Sequence, residues 1–133
     1  MEDACLDSDA LIEAYDLGME KFGGVRTTCI SLYEFLRGLA HLGKSVTEYK
    51  AYVESNLEVL PFDNRAIVMA SELHAKLRKK GALVEDPDLL IASMCVANGI
   101  PLVTGNVKHF ERFVQYGLDV RPLDAFIASV QAG

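Results

Sequence analysis

Short apolar segments alternate with helical patterns along the chain, and this alternation limits the possible folds more than any other feature. Strands are predicted over residues 4–6, 25–31, 57–62, 100–103 and 118–120. Helices are predicted between them, over about 9–21, 32–42, 46–56, 63–80, 88–98 and 107–113. Strands that alternate with helices pair in parallel through right-handed crossovers. We therefore predict a three-layer α/β/α fold around a central parallel sheet of about five short strands.

The composition is that of an ordinary folded protein. The 133 residues are 50% hydrophobic and 24% charged, which is enough for one domain spanning residues 1–133 with a real core. The opening residues show no signal segment, and Asn98, Gly99 and Pro101 interrupt the most apolar region, so no membrane span is expected. The three cysteines are far apart without metal-type spacing, which indicates free thiols in a cytoplasmic protein.

The net charge of −6 argues against a protein that coats nucleic acid through a global positive field. It does not exclude an enzyme that binds a polyanion locally. Such an enzyme could obtain the positive charge it needs from a bound metal ion.

Four polar residues stand where an apolar segment or a loop gives way to a helix: Asp7, Glu34, Asp88 and Asn106. The carboxyl ends of parallel strands lie at one edge of the sheet, so these residues are predicted to meet there. Three carboxylates at one point repel each other unless a cation joins them. Oxygen ligands favour Mg²⁺ or Mn²⁺ over zinc. The pattern predicts a metal site able to align a water for attack on a phosphodiester.

The first two of these residues also have structural explanations. Asp7 could be a turn residue, with Ser8 or Asp9 capping the first helix. The spacing of Ser31 and Glu34 matches a capping box, in which the acid reaches back to the start of its helix.

The other two residues have similar explanations. Asp86 could cap a helix that continues with Pro87 in its first turn and with Asp88 as a first-turn acid. Asn106 follows Gly105 and could cap the short helix after it. The proposed convergence of all four residues favours the metal site.

Four segments carry a family resemblance. Over nearly its whole length, the chain resembles the PIN-domain ribonucleases and, within them, the VapC-like toxins of toxin–antitoxin pairs. The matching segments, in chain order, are LDSDALIE (6–13), SLYEFLRG (31–38), DLLIAS (88–93) and LVTGNVKHF (102–110). The resemblance implies a PIN-like fold and a Mg²⁺- or Mn²⁺-dependent endoribonuclease activity.

The resemblance also implies roles for particular residues. Asp7, Glu34 and Asp88 would be the metal-binding carboxylates. Asn106 would be the fourth catalytic position, which is Asp in many PIN domains. Asp9 and Thr104 are secondary candidates, as further oxygen donors or as residues that orient a site carboxylate. Arg37, Lys108 and Arg112 lie near these motifs and are candidates for contacts with RNA phosphates.

Partners follow from the same resemblance. The substrate would be RNA, a small VapB-like antitoxin would block the acidic groove, and the toxin would form a homodimer. Two apolar stripes could be interface or core: Leu36, Leu39, Leu42 and Tyr49, Tyr52, Val53.

Two alternatives stay open. Asn106 supplies no charge, so the chain could be a catalytically weakened PIN-like interaction module. Asp7-Ser8-Asp9 also resembles the nucleophile motif of haloacid-dehalogenase-like phosphatases, although the chain is short for that class and has no clear lysine after a strand. The three histidines are scattered, and none is assigned a catalytic role.

Overall fold

The computed structural model describes residues 3–82 and 84–133. The prediction that no signal segment opens the chain concerns Met1 and Glu2, which lie outside the described residues. The strands are β1 (Cys5–Leu6), β2 (Arg26–Thr28), β3 (Glu58–Leu60), β4 (Leu102–Thr104) and β5 (Val120–Pro122). The helices are α1 (Ser8–Leu17), α2 (Cys29–His41), α3 (Val46–Asn56), α4 (Asn64–Lys79), α5 (Asp86–Asn98), α6 (Val107–Phe110) and α7 (Leu123–Ala132), with 3₁₀ turns at Met19–Phe22 and Glu111–Tyr116.

The strands form a single parallel sheet in the order β3-β2-β1-β4-β5. The first strand lies at its centre, where Cys5 is in register with Arg26 of β2 and with Leu102 of β4. The predicted α/β class and the number of strands are confirmed. Because all pairs are parallel, the carboxyl ends of β1, β2 and β4 reach the same edge.

The core fills both faces of the sheet, as a three-layer fold requires. Successive side chains of a strand point to opposite faces. Leu6 accordingly packs with α1, α2 and Phe22, whereas Cys5 packs with α4, α5 and Phe113. Phe22 and Phe113 are among the largest fully buried side chains. Burying a side chain of this size contributes roughly 1.5–3 kcal/mol.

Two helices begin earlier than predicted. Strand β2 ends at Thr28, whose hydroxyl accepts a hydrogen bond from the backbone N–H of Ser31 at 3.0 Å. This cap starts α2 at Cys29, so residues 29–31 are helical and not part of the strand. Helix α5 begins at Asp86, because proline is well tolerated in a first helical turn and Pro87 does not delay the start.

Other boundaries also differ from the prediction. Gly18, at φ +101°, ends α1, and Met19–Phe22 forms a separate 3₁₀ turn. The helix predicted over 107–113 is α6 followed by another 3₁₀ turn, and β5 lies at Val120–Pro122. Helix α7 was not predicted, although Phe126 is buried on it and Ile127 and Val130 pack against the core.

The two apolar stripes are mostly core. Leu36 and Val53 are buried, and Leu39, Tyr49 and Tyr52 are partly buried against the same core cluster. Leu42 is the exception, with 73% of its surface exposed. Across residues 3–82 and 84–133, no helix has the length and apolarity needed to cross a membrane.

Candidate active site

A small cleft of about 140 Å³ opens at the carboxyl edge of the sheet. It receives residues from the ends of β1 and β4, from the first turns of α1 and α5 and from the second turn of α2. The sequence-predicted residues that line it are Asp7, Asp9, Glu34, Asp88 and Asn106, together with Ser8, Ile91, His109 and Phe110. The fold therefore brings together residues as far apart in sequence as Asp7 and Phe110.

Asp7 is both a helix cap and a cleft residue. Its Oδ1 accepts the backbone N–H of Ala10 at 3.0 Å, so Asp7, and not Ser8 or Asp9, caps α1. Burial raises the pKa of Asp7 to about 6, although hydrogen bonds from Thr104 and Ala10 oppose this shift. The charges of Asp9 and Glu34 contribute to the same rise. The structural and functional explanations of Asp7 are thus compatible.

Glu34 is not part of a capping box. Thr28 caps α2, so Ser31 lies within the first turn and Glu34 lies further along the helix. Its carboxylate faces the cleft. Burial raises the pKa of Glu34, and so does the charge of Asp88, whereas Arg37 lowers it. Glu34 therefore lies within electrostatic range of both Asp88 and Arg37.

Asp88 is the first-turn acid that the sequence predicted, but Asp86 is not the cap. Glu85 occupies the N-cap position of α5, without a side-chain hydrogen bond. Burial raises the pKa of Asp88, whereas the charges of His109 and Arg112 lower it. Arg112 therefore lies close enough to the cleft to influence its charge, while Lys108 is not among the residues that line it.

His109 joins two of the predicted site residues, a role that sequence reasoning missed. Its Nε2 lies 3.2 Å from Asp88 Oδ2, and its Nδ1 lies 2.7 Å from Asn106 Nδ2. A neutral imidazole can satisfy both contacts, because Nε2–H donates to the carboxylate while Nδ1 accepts from the amide. Asn106 consequently does not cap α6 with its side chain. The sequence signal for this role of His109 is its position three residues after Asn106.

Thr104 supports the site through hydrogen bonds of its hydroxyl group. It is fully buried at the end of β4, and its Oγ1 accepts the backbone N–H of Asn106 at 3.0 Å. Its hydroxyl also hydrogen-bonds Asp7 and lowers the pKa of that carboxyl. One side chain therefore positions residues from two of the four motifs.

The family of the chain is shown by comparison with known proteins. Residues 3–116 match the PIN domain family. The chain belongs to the PIN domain family. It is similar to Ribonuclease VapC1 of Methanocaldococcus jannaschii, with 31% identity over 86% of this chain and 84% of that protein. The predicted VapC-like membership is confirmed.

Solved structures share the fold of this PIN domain. The VapBC complex of Salmonella typhimurium bound to DNA matches 92% of this chain and 99% of its own, with 27% identity and a TM-score of 0.68. VapBC2 of Rickettsia felis bound to promoter DNA matches 91% and 98%, with 24% identity and a TM-score of 0.71. The PIN-like architecture is therefore confirmed.

The cleft of the PIN domain suits a hard divalent cation by its chemistry. Its donors are carboxylate and amide oxygens, which Mg²⁺ and Mn²⁺ prefer. Burial raises the pKa of Asp7, Glu34 and Asp88, and the charges of neighbouring acids act in the same direction; a cation in the cleft would offset both penalties. Within residues 3–82 and 84–133, however, no three acidic, histidine or cysteine side chains already form a closed metal-binding group.

Replacing Thr104 with Val in this PIN domain should lower the free energy of unfolding by about 1–3 kcal/mol. The isosteric change keeps the volume but removes the partner of the Asn106 N–H and of the Asp7 carboxylate. Urea denaturation measures the effect. The control is Thr47→Val, which alters an exposed threonine on α3. Equal stabilities of the two variants would contradict the supporting role of Thr104.

Proposed function

We propose that this PIN domain is a metal-dependent endoribonuclease that hydrolyses RNA phosphodiester bonds. The observation that carries the proposal is the convergence of Asp7, Glu34 and Asp88 on one cleft, where each carboxyl has a raised pKa. A cluster of perturbed carboxyls in a cleft is typical of a functional site. The family membership supports the same reading, since a similar protein is named Ribonuclease VapC1.

The proposed ligands of Mg²⁺ or Mn²⁺ are Asp7, Glu34 and Asp88, and Asn106 is the fourth catalytic position. When bound, such an ion would supply positive charge at the phosphate and lower the pKa of the attacking water. The Ala10 N–H and the Thr104 hydroxyl both hydrogen-bond Asp7, which fixes the orientation of its carboxylate. His109 holds Asp88 and Asn106 in one arrangement. Asp9, on the cleft wall, adds a further oxygen donor.

RNA contacts are proposed for the cations beside the cleft. Arg37 and Arg112 both lower the pKa of a cleft carboxyl, so both lie within electrostatic range of a bound phosphate. Arg37 also stacks over the ring of Tyr33, with its guanidinium carbon 5.2 Å from the ring centroid. Lys108, in the first turn of α6, is a weaker candidate because it does not line the cleft.

The proposal includes a biological setting. We infer that the chain is the toxin of a toxin–antitoxin pair, that a small VapB-like protein binds it, and that it forms a homodimer. Similarity to solved VapBC complexes supports the partner. The exposed Leu42 is an apolar side chain available for such contacts. The three free cysteines agree with a reducing cytoplasm, and residues 1–133 are taken as one catalytic unit.

A catalytically weakened interaction module is the second candidate. Asn106 contributes no charge, and its amide is engaged by His109. The phosphatase alternative is not retained, because the chain belongs to the PIN domain family.

The deciding experiment is cleavage of single-stranded RNA by the purified protein after metal removal. Treatment with EDTA should abolish cleavage, and excess Mg²⁺ or Mn²⁺ should restore it. A further sample receives only Ca²⁺, as a comparison with a cation that prefers a larger and more flexible shell of oxygen ligands. Cleavage that continues in EDTA would overturn the metal dependence, and absence of cleavage with every metal would favour the interaction module.

Metal binding should also stabilise the fold, which can be measured without a substrate. A ligand that binds only the native state at 100 times its dissociation constant adds about 2.7 kcal/mol. Addition of Mn²⁺ should therefore raise the melting temperature of the EDTA-treated protein by several degrees. The Glu34→Gln variant should lose most of this increase, whereas the exposed Glu54→Gln, on α3, should keep it. Equal shifts in the two variants would place the metal elsewhere.

A further inference from the structure

A second and larger cavity lies beside the carboxylate cleft. Its volume is about 440 Å³, compared with about 140 Å³ for the cleft itself. Helix α1 contributes Glu13 to its wall, the end of β4 contributes Thr104 and Gly105, and helix α7 closes the other side. The volume is in the range of sites that bind small organic groups. None of the proposed metal ligands lines this cavity, so metal binding does not explain why the cavity is there.

Only the thickness of one residue separates the two spaces. A methyl group placed on Gly105 would lie 3.7 Å from Leu123 Cδ2 on the cavity side and 4.0 Å from Asp9 Oδ2 on the cleft side. Thr104 likewise lines the cavity while its hydroxyl bonds Asp7. A phosphodiester in the cleft would therefore have its neighbouring nucleotide at the mouth of the cavity.

The walls of the cavity differ from those of a phosphate site. Val107, Leu123 and Ile127 supply apolar surface, and the polar groups are the carboxylates of Glu13 and Asp124 and the amide of Gln131. No Lys or Arg is among the described residues that line it. Such walls repel a phosphate but suit a flat, uncharged group that carries N–H donors.

We propose that this cavity is the subsite for the nucleobase next to the scissile phosphate, and that it prefers guanine. The inference rests on the proposed nuclease function and adds a specificity determinant to it. Single-stranded bases are read by apolar contact and by hydrogen bonds to their Watson–Crick edges. Guanine presents N1–H and N2–H side by side to one carboxylate, whereas uracil presents a single N–H between two carbonyls that carboxylates repel.

The matched variants are two alanine-to-tryptophan changes on α7. Ala128 lines the cavity, so Ala128→Trp fills it, whereas Ala125 is exposed on the same helix and does not line it. Cleavage sites are mapped by sequencing the products of a random single-stranded RNA pool. The wild type should favour guanine over uracil about tenfold at one nucleotide beside the cut, which is within the range for one bidentate contact. Ala128→Trp should reduce this preference below about twofold, and Ala125→Trp should retain it.

A binding measurement without catalysis separates this proposal from the proposed function. In the metal-free protein, guanosine monophosphate should shift the NMR amide signals of Gly105 and Ile127 at about tenfold lower concentration than uridine monophosphate. These shifts should disappear in Ala128→Trp. If RNA is not cleaved but this selective binding is seen, the cavity is a guanine-binding site and it is the nuclease function that fails.

Several results would overturn the subsite. Equal base preference in the two tryptophan variants would do so while leaving the nuclease intact. In the NMR experiment, equal shifts with the two nucleotides, or no shift with either, would also overturn the subsite. A change in oligomeric state or antitoxin binding by Ala128→Trp, with base preference unaltered, would make the cavity a protein contact instead.

Discussion

The Asp88→Asn variant should cleave RNA at least about a hundredfold more slowly than the wild type at saturating Mg²⁺. Mutation of groups that merely support a metal ligand already costs about 10–100-fold, and Asp88 is a proposed ligand itself. The substitution keeps the side-chain volume and the start of α5, so the loss would come from charge and not from unfolding. Initial cleavage rates of a fluorescent RNA measure it.

Asp119→Asn is the matched control, because Asp119 is an exposed acid that pairs with Arg121 away from the cleft. It should retain the wild-type rate. Asp7→Asn should lose activity to the same degree as Asp88→Asn. Wild-type rates in both site variants would remove these carboxylates from the mechanism.

The same Asp7→Asn change should make the metal-free protein more stable at pH 8, by about 3 kcal/mol. The pKa of Asp7 is about 6 in the folded chain and 3.8 in the reference state, a difference equivalent to about 3 kcal/mol. The folded state therefore binds the proton more tightly, and the wild type loses this stability as pH rises from about 4 to 6. Asparagine stays neutral and caps a helix as well as aspartate does.

Urea denaturation in EDTA at pH 8 and near pH 4 measures this second effect. The advantage of Asp7→Asn should be small near pH 4 and complete at pH 8. Asp63→Asn is the control, since Asp63 caps α4 with the same 3.0 Å bond to a backbone N–H but does not line the cleft. A less stable Asp7→Asn protein at pH 8 would show that ionised Asp7 carries no folding penalty.

Prediction from sequence succeeded where one local pattern and one general rule were sufficient. An apolar segment followed by Asp7, together with parallel crossovers, determines that the acid lies at the carboxyl edge. The start of α2 could not be predicted in this way, because Thr28 and Ser31 both fit the cap position. Thr28 takes the cap position because the pairing of β2 with β3 ends at Thr28, which is in register with Leu60, and the chain is free to turn into the helix after it.

The contacts between motifs were also beyond the sequence. The bridge from Asp88 through His109 to Asn106 depends on how α5 and α6 pack against each other. Helix α7 was missed because it follows Pro122 without a capping side chain. The cavity beside it depends on that helix and could not be inferred from the four motifs.

The central position of the first strand affects how the protein is made. Cys5 forms its ladder with β4 only after residues near Leu102 have been synthesised, and Asn106 and His109 follow still later. Nascent chains are produced from the N-terminus, one residue at a time. A ribosome that has reached Ile100 has therefore produced all three proposed metal-binding carboxylates but not the cleft that holds them. Under the proposed function, RNA cleavage is possible only after β4 and the cleft residues that follow it have been synthesised and have folded against β1.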